Sequence, residues 1–253
     1  MRLQLLAART AFAALLLAVL AGAIAVAGVR SGFLSDTAGS GFMIPATILG
    51  LASLALALLW LRSALINNMG NDKRLGLAAL IGSCVFLYSP LSYAYLGLVA
   101  LPIHDVTTDP EDPPQFAALA KIHPANSRIF DPDRRIRYKG KDVNLAYALH
   151  DKYPLLTKPH NGLLVLPQKA FWRSYDVVQK LGWTVVEANP NQLRIEATDK
   201  SFWFGRISDI VIRVRQAGAI GSRVDLRAES RNGEIDHGRN AARLKAFFAL
   251  FRF

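Results

Sequence analysis

Three stretches of the chain carry no charge: Thr10–Val29, Thr37–Leu61 and Leu75–Ile103. A helix on a water-soluble protein breaks its apolar stripe with polar residues every turn, and these stretches do not. Each exceeds the roughly 18–20 apolar residues that cross a hydrocarbon core about 30 Å thick. The pattern predicts three transmembrane helices, at about 10–29, 41–61 and 75–98. Ser89-Pro90 falls inside the third, where a proline removes one backbone hydrogen bond and is expected to kink one continuous helix. Tyr88, Tyr93 and Tyr95 lie near its far end, where amphipathic rings favour the membrane interface. Cys84, mid-span, is expected as a small packing residue.

Beyond residue 100 the periodicity changes. Pro102 to Pro114, with four prolines and four acidic residues, reads as an extended tether with turns at Asp109-Pro110 and Asp112-Pro113. Asp142 to Tyr153 reads as a short helix ended by Pro154. From Pro167, the residues Phe171, Tyr175, Val178 and Leu181 recur at helical spacing, and Gly182 is the stop. Trp183–Glu187 and Leu193–Thr198 flank the turn Asn189-Pro190-Asn191 as a hairpin. Ile210–Arg215 and Arg223–Ser230 alternate likewise, with Val224, Leu226 and Ala228 on the inner face. Asn240–Phe253 places Leu244, Phe247, Phe248 and Phe251 on one helical stripe. The fold expected for residues 101–253 is an α+β domain in two layers. An antiparallel sheet of about four strands has one face under helices and one face polar.

Composition adds location. With 52 % hydrophobic and 19 % charged residues the chain is neither disordered nor fibrous, and one cysteine excludes a disulfide framework or a cysteine-based metal site. Arg2 and Arg9 precede the first span and Arg62, Lys73 and Arg74 lie between the second and third, against Arg30 alone in the first loop. Positive residues accumulate on the cytoplasmic side. The N-terminus is therefore expected inside and the domain outside, which in a bacterium with two membranes means inner membrane and periplasm. The first apolar run is longer than the 7–15 residues of a signal-peptide core, which favours a retained anchor over a cleaved leader.

Pro102-Ile103-His104-Asp105-Val106-Thr107-Thr108-Asp109, then Asp112-Pro113-Pro114 and Phe116, open a series of matched stretches. Tyr153-Pro154, Ile195–Asp199 leading into Phe202-Trp203-Phe204-Gly205, and Ser230-Arg231, Gly233, Asp236, Gly238, Asn240 and Arg243 follow in the same order. This succession resembles the bacterial family catalogued as domain of unknown function 1499, over nearly all of residues 102–247. The chain departs from the family text at Glu229, Asn232 and Glu234. The resemblance implies a fold and a place behind membrane spans, and no reaction.

Candidate chemistry is sparse. His104, Asp105 and Asp109 are the residue types of a metal site or of a base oriented by an acid. On an extended tether they converge only through a sharp turn, and Asp109 before proline reads more simply as a turn residue. No metal signature accompanies them; His123, His150, His160 and His237 are scattered, and no cofactor is expected. Glu196, Asp225 and Glu229 are expected beside Arg194, Arg213, Arg215, Arg223 and Arg227 as cross-strand ion pairs rather than an acid/base couple. The turn from Ser230 to Asn240 is the most site-like segment. Ser230, Arg231, Gly233, Asp236, Gly238, Arg239, Asn240 and Arg243 offer glycine N–H groups, a helix start and three guanidinium groups to an anion. The alternative is that Asp236 caps the helix and the segment is an internal clasp.

Arg134, Arg135, Arg137, Lys139 and Lys141, with Tyr138, form a basic run suited to anionic headgroups or simply solvated; an outward domain makes nucleic acid an unsuitable partner. In Phe202-Trp203-Phe204-Gly205, Phe202 and Phe204 are expected on one side of a strand. Trp203 is then either packed under the preceding loop, the preferred reading, or exposed at a lipid or partner groove. The leading functional expectation is a non-enzymatic envelope protein binding lipid headgroups or a protein partner. The alternatives are a membrane-bound hydrolase or transferase using His104 with Asp105, and a subunit of a membrane complex. The charge asymmetry makes a direct prediction: reporter fusions after Arg74 and after Phe253 should report opposite compartments, and a shared compartment overturns the topology.

Overall fold

The computed structural model describes residues 2–67, 73–123, 129–158, 165–231 and 235–251. The chain divides into two compact units: Met1–Tyr95 with Phe202–Gly205, and Leu96–Ser201 with Arg206–Phe253.

The first unit is built on α1 (Arg2–Arg30), α2 (Asp36–Asn67) and α3 (Lys73–Val99). All three are long and apolar enough to cross a membrane. They extend past the expected ends because the helix continues into the polar flanks. Where there is no hydrophobic drive between helices, close approach of small residues supplies the packing. Ala8 meets Ala64 and Trp60, and Ala11 meets Ala57 and Ala79. Ser53 Oγ lies 2.7 Å from both the Ala11 carbonyl and Ser83 Oγ, so these buried hydroxyls satisfy one another. The pairings run α2 antiparallel to both neighbours. Pro45 and Pro90 sit inside α2 and α3 without ending either helix. Cys84 is exposed on the outside of α3, not packed within as expected.

In the second unit, five strands form one antiparallel sheet: β1 (Asp105–Thr107), β4 (Thr184–Asn189), β5 (Arg194–Lys200), β6 (Ile207–Ala217) and β7 (Gly221–Ser230), in the order β1-β7-β6-β5-β4. The four-stranded meander is as expected; the fifth strand is not. The segment expected as a tether contributes β1, which pairs with β7 and is buried along its whole length. Three residues are too few for a period-2 signal to show, and edge position accommodates the flanking prolines.

Two elements cover one sheet face: α7 (Pro167–Lys180), started by Pro167 and stopped by Gly182 at φ +71°, and α8 (Arg239–Leu250). Phe171, Val177, Val178, Leu244, Phe247 and Phe251 pack there on Ile195, Ala197, Ile210, Ile212, Val214, Val224, Leu226 and Ala228. Phe247 stacks between Trp183 and Phe251. Asn189 Oδ1 accepts from the Asn191 and Gln192 N–H groups, fixing the β4–β5 turn. Three short helices complete the unit: α4 (Ala118–Ile122), α5 (Leu145–Lys152) and α6 (Pro154–Thr157).

The basic run is a hairpin, β2 (Arg135–Tyr138) and β3 (Lys141–Asn144), turned at Lys139 and Gly140 with φ of +50° and +77°. That is the mirror-image turn two-residue hairpins prefer. It takes residues 142–144 out of the helix expected there, and α5 begins instead behind Asn144, whose side chain accepts the Tyr147 N–H. Phe202–Phe204 form no strand; they lie in the β5–β6 connection, with Phe202 79 % and Trp203 48 % exposed, so Trp203 is not packed away.

Phe247 is fully buried among rings, so Phe247→Ala should cost the domain roughly 3–5 kcal/mol. Denaturant unfolding of the full chain in detergent checks this, and a loss below about 1 kcal/mol would detach α8 from the core.

Candidate functional site

Pleating sends Arg194, Glu196, Asp209, Arg213, Arg215, Arg223, Asp225, Arg227 and Glu229 to the sheet face away from α7 and α8. This face is polar, as expected; its carboxylates are withdrawn from water, while Arg194, Arg213, Arg215 and Arg223 stay partly exposed. Glu196, Asp209, Asp225, Arg227 and Glu229 are all at most 2 % exposed. Phe116 and Leu119 lie across it on Val211, its one apolar position in the centre of β6. A buried charge is tolerated only with a partner, so each carboxylate here has one.

Asp225 accepts from Arg213, Arg215 and Arg223 at 3.2, 2.7 and 2.7 Å. Asp109 reaches the same three arginines from the covering segment at 3.5, 2.9 and 2.6 Å, and Asp112 joins Arg213 and Arg215. Glu196 accepts the N–H groups of Ala117, Ala118 and Leu119, closing the start of α4, with Arg194 2.9 Å away. Across β1, β7 and β6 the carboxylates Asp105, Glu229 and Asp209 stand directly opposite one another. Arg227 lies between the first two, forked onto Asp105 at 2.8–3.1 Å and 3.2 Å from Glu229, with its guanidinium over the rings of Phe116 and Phe130. Arg231 forks onto Asp209 at 2.7–3.1 Å. Burial still pushes the Asp105 carboxyl above its ordinary value, against the opposing pull of Arg227.

This geometry keeps His104 and Asp105 near one another and sets Asp109 apart from them. His104 Nε2 lies 3.8 Å from Glu229 Oε1, and the Asp105 carboxylate is engaged by Arg227. Asp109 belongs with the arginines around Asp225, four residues along β7 from Glu229, or about 13 Å. Asp109 Oδ1 also accepts the Asp112 N–H, an Asx turn. His150 pairs with Glu111, and His160 lies outside the described residues. Among the described residues no group of three His, Cys, Asp or Glu is arranged to hold a metal ion.

The Ser230–Asn240 turn draws together most of its named residues; Gly233 lies outside the described ones. Asp236 accepts the N–H groups of Gly238 at 2.8 Å and Asn240 at 2.6 Å. Asn240 Nδ2 donates to the His104 carbonyl and to Ser230 Oγ, tying α8 to the start of β1 and the end of β7. Arg243 donates to Asp199 at 2.6 Å and to Asn240 Oδ1 at 3.1 Å. Gly238, at φ +75°, occupies the N-cap, and Arg239 opens the helix. An anion entering this turn competes with Asp199, Asp209 and Asp236 for donors they already hold.

The exposed charge lies elsewhere. Arg134, Arg137 and Lys141 are exposed on and beside the β2–β3 hairpin. Its neighbours Arg135 and Lys139 pair with Asp142 and Asp151, and Tyr138 Oη also donates to Asp151 at 2.6 Å.

A family model described as a protein of unknown function (DUF1499) matches residues 105–251. No curated protein matches the chain in sequence. The match covers more than half of the chain, from β1 through α8, and the chain belongs to the DUF1499 family.

Burial pushes the Asp236 carboxyl above its ordinary value of 3.8, although the Asn240 and Gly238 N–H groups and Arg243 oppose the shift. The folded state then holds this proton more tightly than the unfolded state. The stability it contributes is fully present below 3.8 and declines as pH rises through the folded value. Asp236→Asn does not titrate, so the excess stability of the natural chain over this variant should be largest in acid and shrink with rising pH. Melts across that range check it, and an excess that grows with pH means the backbone donors outweigh burial.

Proposed function

We propose that this DUF1499 member is a membrane-anchored binding protein whose domain engages anionic lipid headgroups through the β2–β3 hairpin. The supporting observation is the contrast between two sets of charges. The carboxylates of the sheet face are buried and matched to guanidinium groups, whereas Arg134, Arg137 and Lys141 are displayed on the surface. The chain has three helices apolar enough to cross a membrane, and each basic residue that comes close to anionic headgroups contributes about 1 kcal/mol, screened within a Debye length. The reading places the N-terminus in the cytoplasm and the domain outside the inner membrane, from the loop charges. The Ser230–Asn240 turn then serves as the joint between sheet and α8. The hydrolase or transferase alternative, with His104 and Asp105 as its base, has to free an Asp105 carboxylate that Arg227 already engages.

The test compares the full chain in phosphatidylcholine nanodiscs with the same chain in discs containing phosphatidylglycerol. A ligand that binds only the folded state raises its melting point. The domain should melt higher in the anionic discs at low salt, and Arg134→Gln, Arg137→Gln and Lys141→Gln together should abolish the difference, worth about 3 kcal/mol. Equal melting in both discs overturns the headgroup reading in favour of a protein partner.

A further inference from the structure

The β5–β6 connection is a closed loop with an apolar tip. Ser201 N–H donates to the Arg206 carbonyl at 2.8 Å, and Arg206 N–H donates back to Ser201 Oγ at 2.9 Å, which pinches the base. Gly205, at φ +66°, makes the return possible. Lys200 and Arg206 flank the tip. The Phe202 and Trp203 rings meet edge to face with centroids 5.1 Å apart, and both stand exposed. Two exposed large aromatic residues side by side on a pinched loop form an apolar patch of the kind that marks a partner or membrane contact.

The tip belongs to the helical unit, and its partners there are specific. Arg30, the last residue of α1, donates from Nη1 to the Phe202 carbonyl at 2.6 Å. A Cβ at Gly39, in the first turn of α2, would meet the Phe204 ring at 3.6 Å. The α1–α2 loop adds Phe33, 87 % exposed. Arg30 and Asp36 are the charges that bound the two apolar spans, so this level of the helices is where hydrocarbon gives way to headgroups. Aromatic rings with basic neighbours are the side chains that favour that depth, the rings toward the acyl chains and the cations toward the phosphates.

We propose that Phe202 and Trp203 form a membrane-interface anchor, inserted into the bilayer at the level where α1 ends and α2 begins. The proposal rests on the reading of α1–α3 as membrane spans, and its occupant is the lipid surface those helices cross.

The test uses the full chain with Cys84→Ala as background, since Cys84 is the one cysteine, reconstituted in phosphatidylcholine and phosphatidylglycerol vesicles. A spin label is attached in turn through Trp203→Cys, Phe202→Cys, Ile220→Cys and Leu16→Cys. Collision with oxygen against a water-soluble nickel chelate then reports depth. Ile220, exposed at the β6–β7 turn, lies at the other end of β6 from the aromatic loop and supplies an aqueous reference; Leu16, exposed on α1, supplies the hydrocarbon one. The expected result is oxygen-favoured collision at 203 or 202, at a depth of about 5–10 Å below the phosphates. Labels at both 202 and 203 as water-accessible as the one at 220, with residue 16 in hydrocarbon, overturn the anchor and leave the spans intact. A water-accessible label at residue 16 overturns the spans themselves, and the anchor with them.

Discussion

A layer of charge sealed between a sheet and its own leading segment governs this domain. Beyond β1, the segment from Asp109 to Ile122 lies over a face on which Asp225, Arg227, Glu229, Asp209 and Glu196 are out of contact with water. An unpaired charge in that position costs several kcal/mol, so β1 and the segment must bring the missing partners at the right spacing. Asp105 does so for Arg227; Asp109 and Asp112 do so for Arg213, Arg215 and Arg223; the N–H groups of residues 117–119 do so for Glu196. Removing one member strands the rest. The pairing therefore specifies register as well as adding stability: β1 fits β7 where Asp105 faces Glu229 across Arg227, and a slip of β1 by one residue would turn Asp105 into the apolar layer.

The two faces of the sheet solve the burial problem differently. Against α7 and α8 the solution is mainly rings and branched aliphatics. Against residues 109–122 it is guanidinium and carboxylate, with Phe116 and Leu119 placed over Val211 and the Phe116 ring over the Arg227 guanidinium. A charged face committed to internal pairing has few donors left for a substrate. The β2–β3 hairpin and the β5–β6 loop are short segments pinned by their own backbone hydrogen bonds, and Ile136 packs the hairpin on the core.

The same logic joins α8 to the rest. Asn240 reaches the His104 carbonyl and Ser230 Oγ while Asp236 holds the first N–H groups of the helix. The glycine, acid, amide and arginine spacing that resembles an anion cradle in sequence thus also describes a joint between a strand end and a helix start, because both require convergent N–H donors and a compact turn.

The sequence by itself determined whatever is local and periodic. Apolar runs too long for water fixed the three spans, alternation fixed β5 and β7, and a helical stripe with Pro167 and Gly182 at its ends fixed α7. It left β1 unread, because three residues amid prolines carry no period, although Asp105, Asp109 and Asp112 ahead of a run of arginines were a legible sign of complementary charge. It likewise misassigned residues 142–144, where Lys139-Gly140 replaces the usual Asn-Gly or Asp-Gly of a hairpin turn. Only the tertiary structure decided which acid meets which arginine, that the carboxylates of the polar face are buried, and that Trp203 is open to its surroundings. Those outcomes depend on residues some hundred positions apart meeting across a sheet, and a one-dimensional pattern holds no record of that distance.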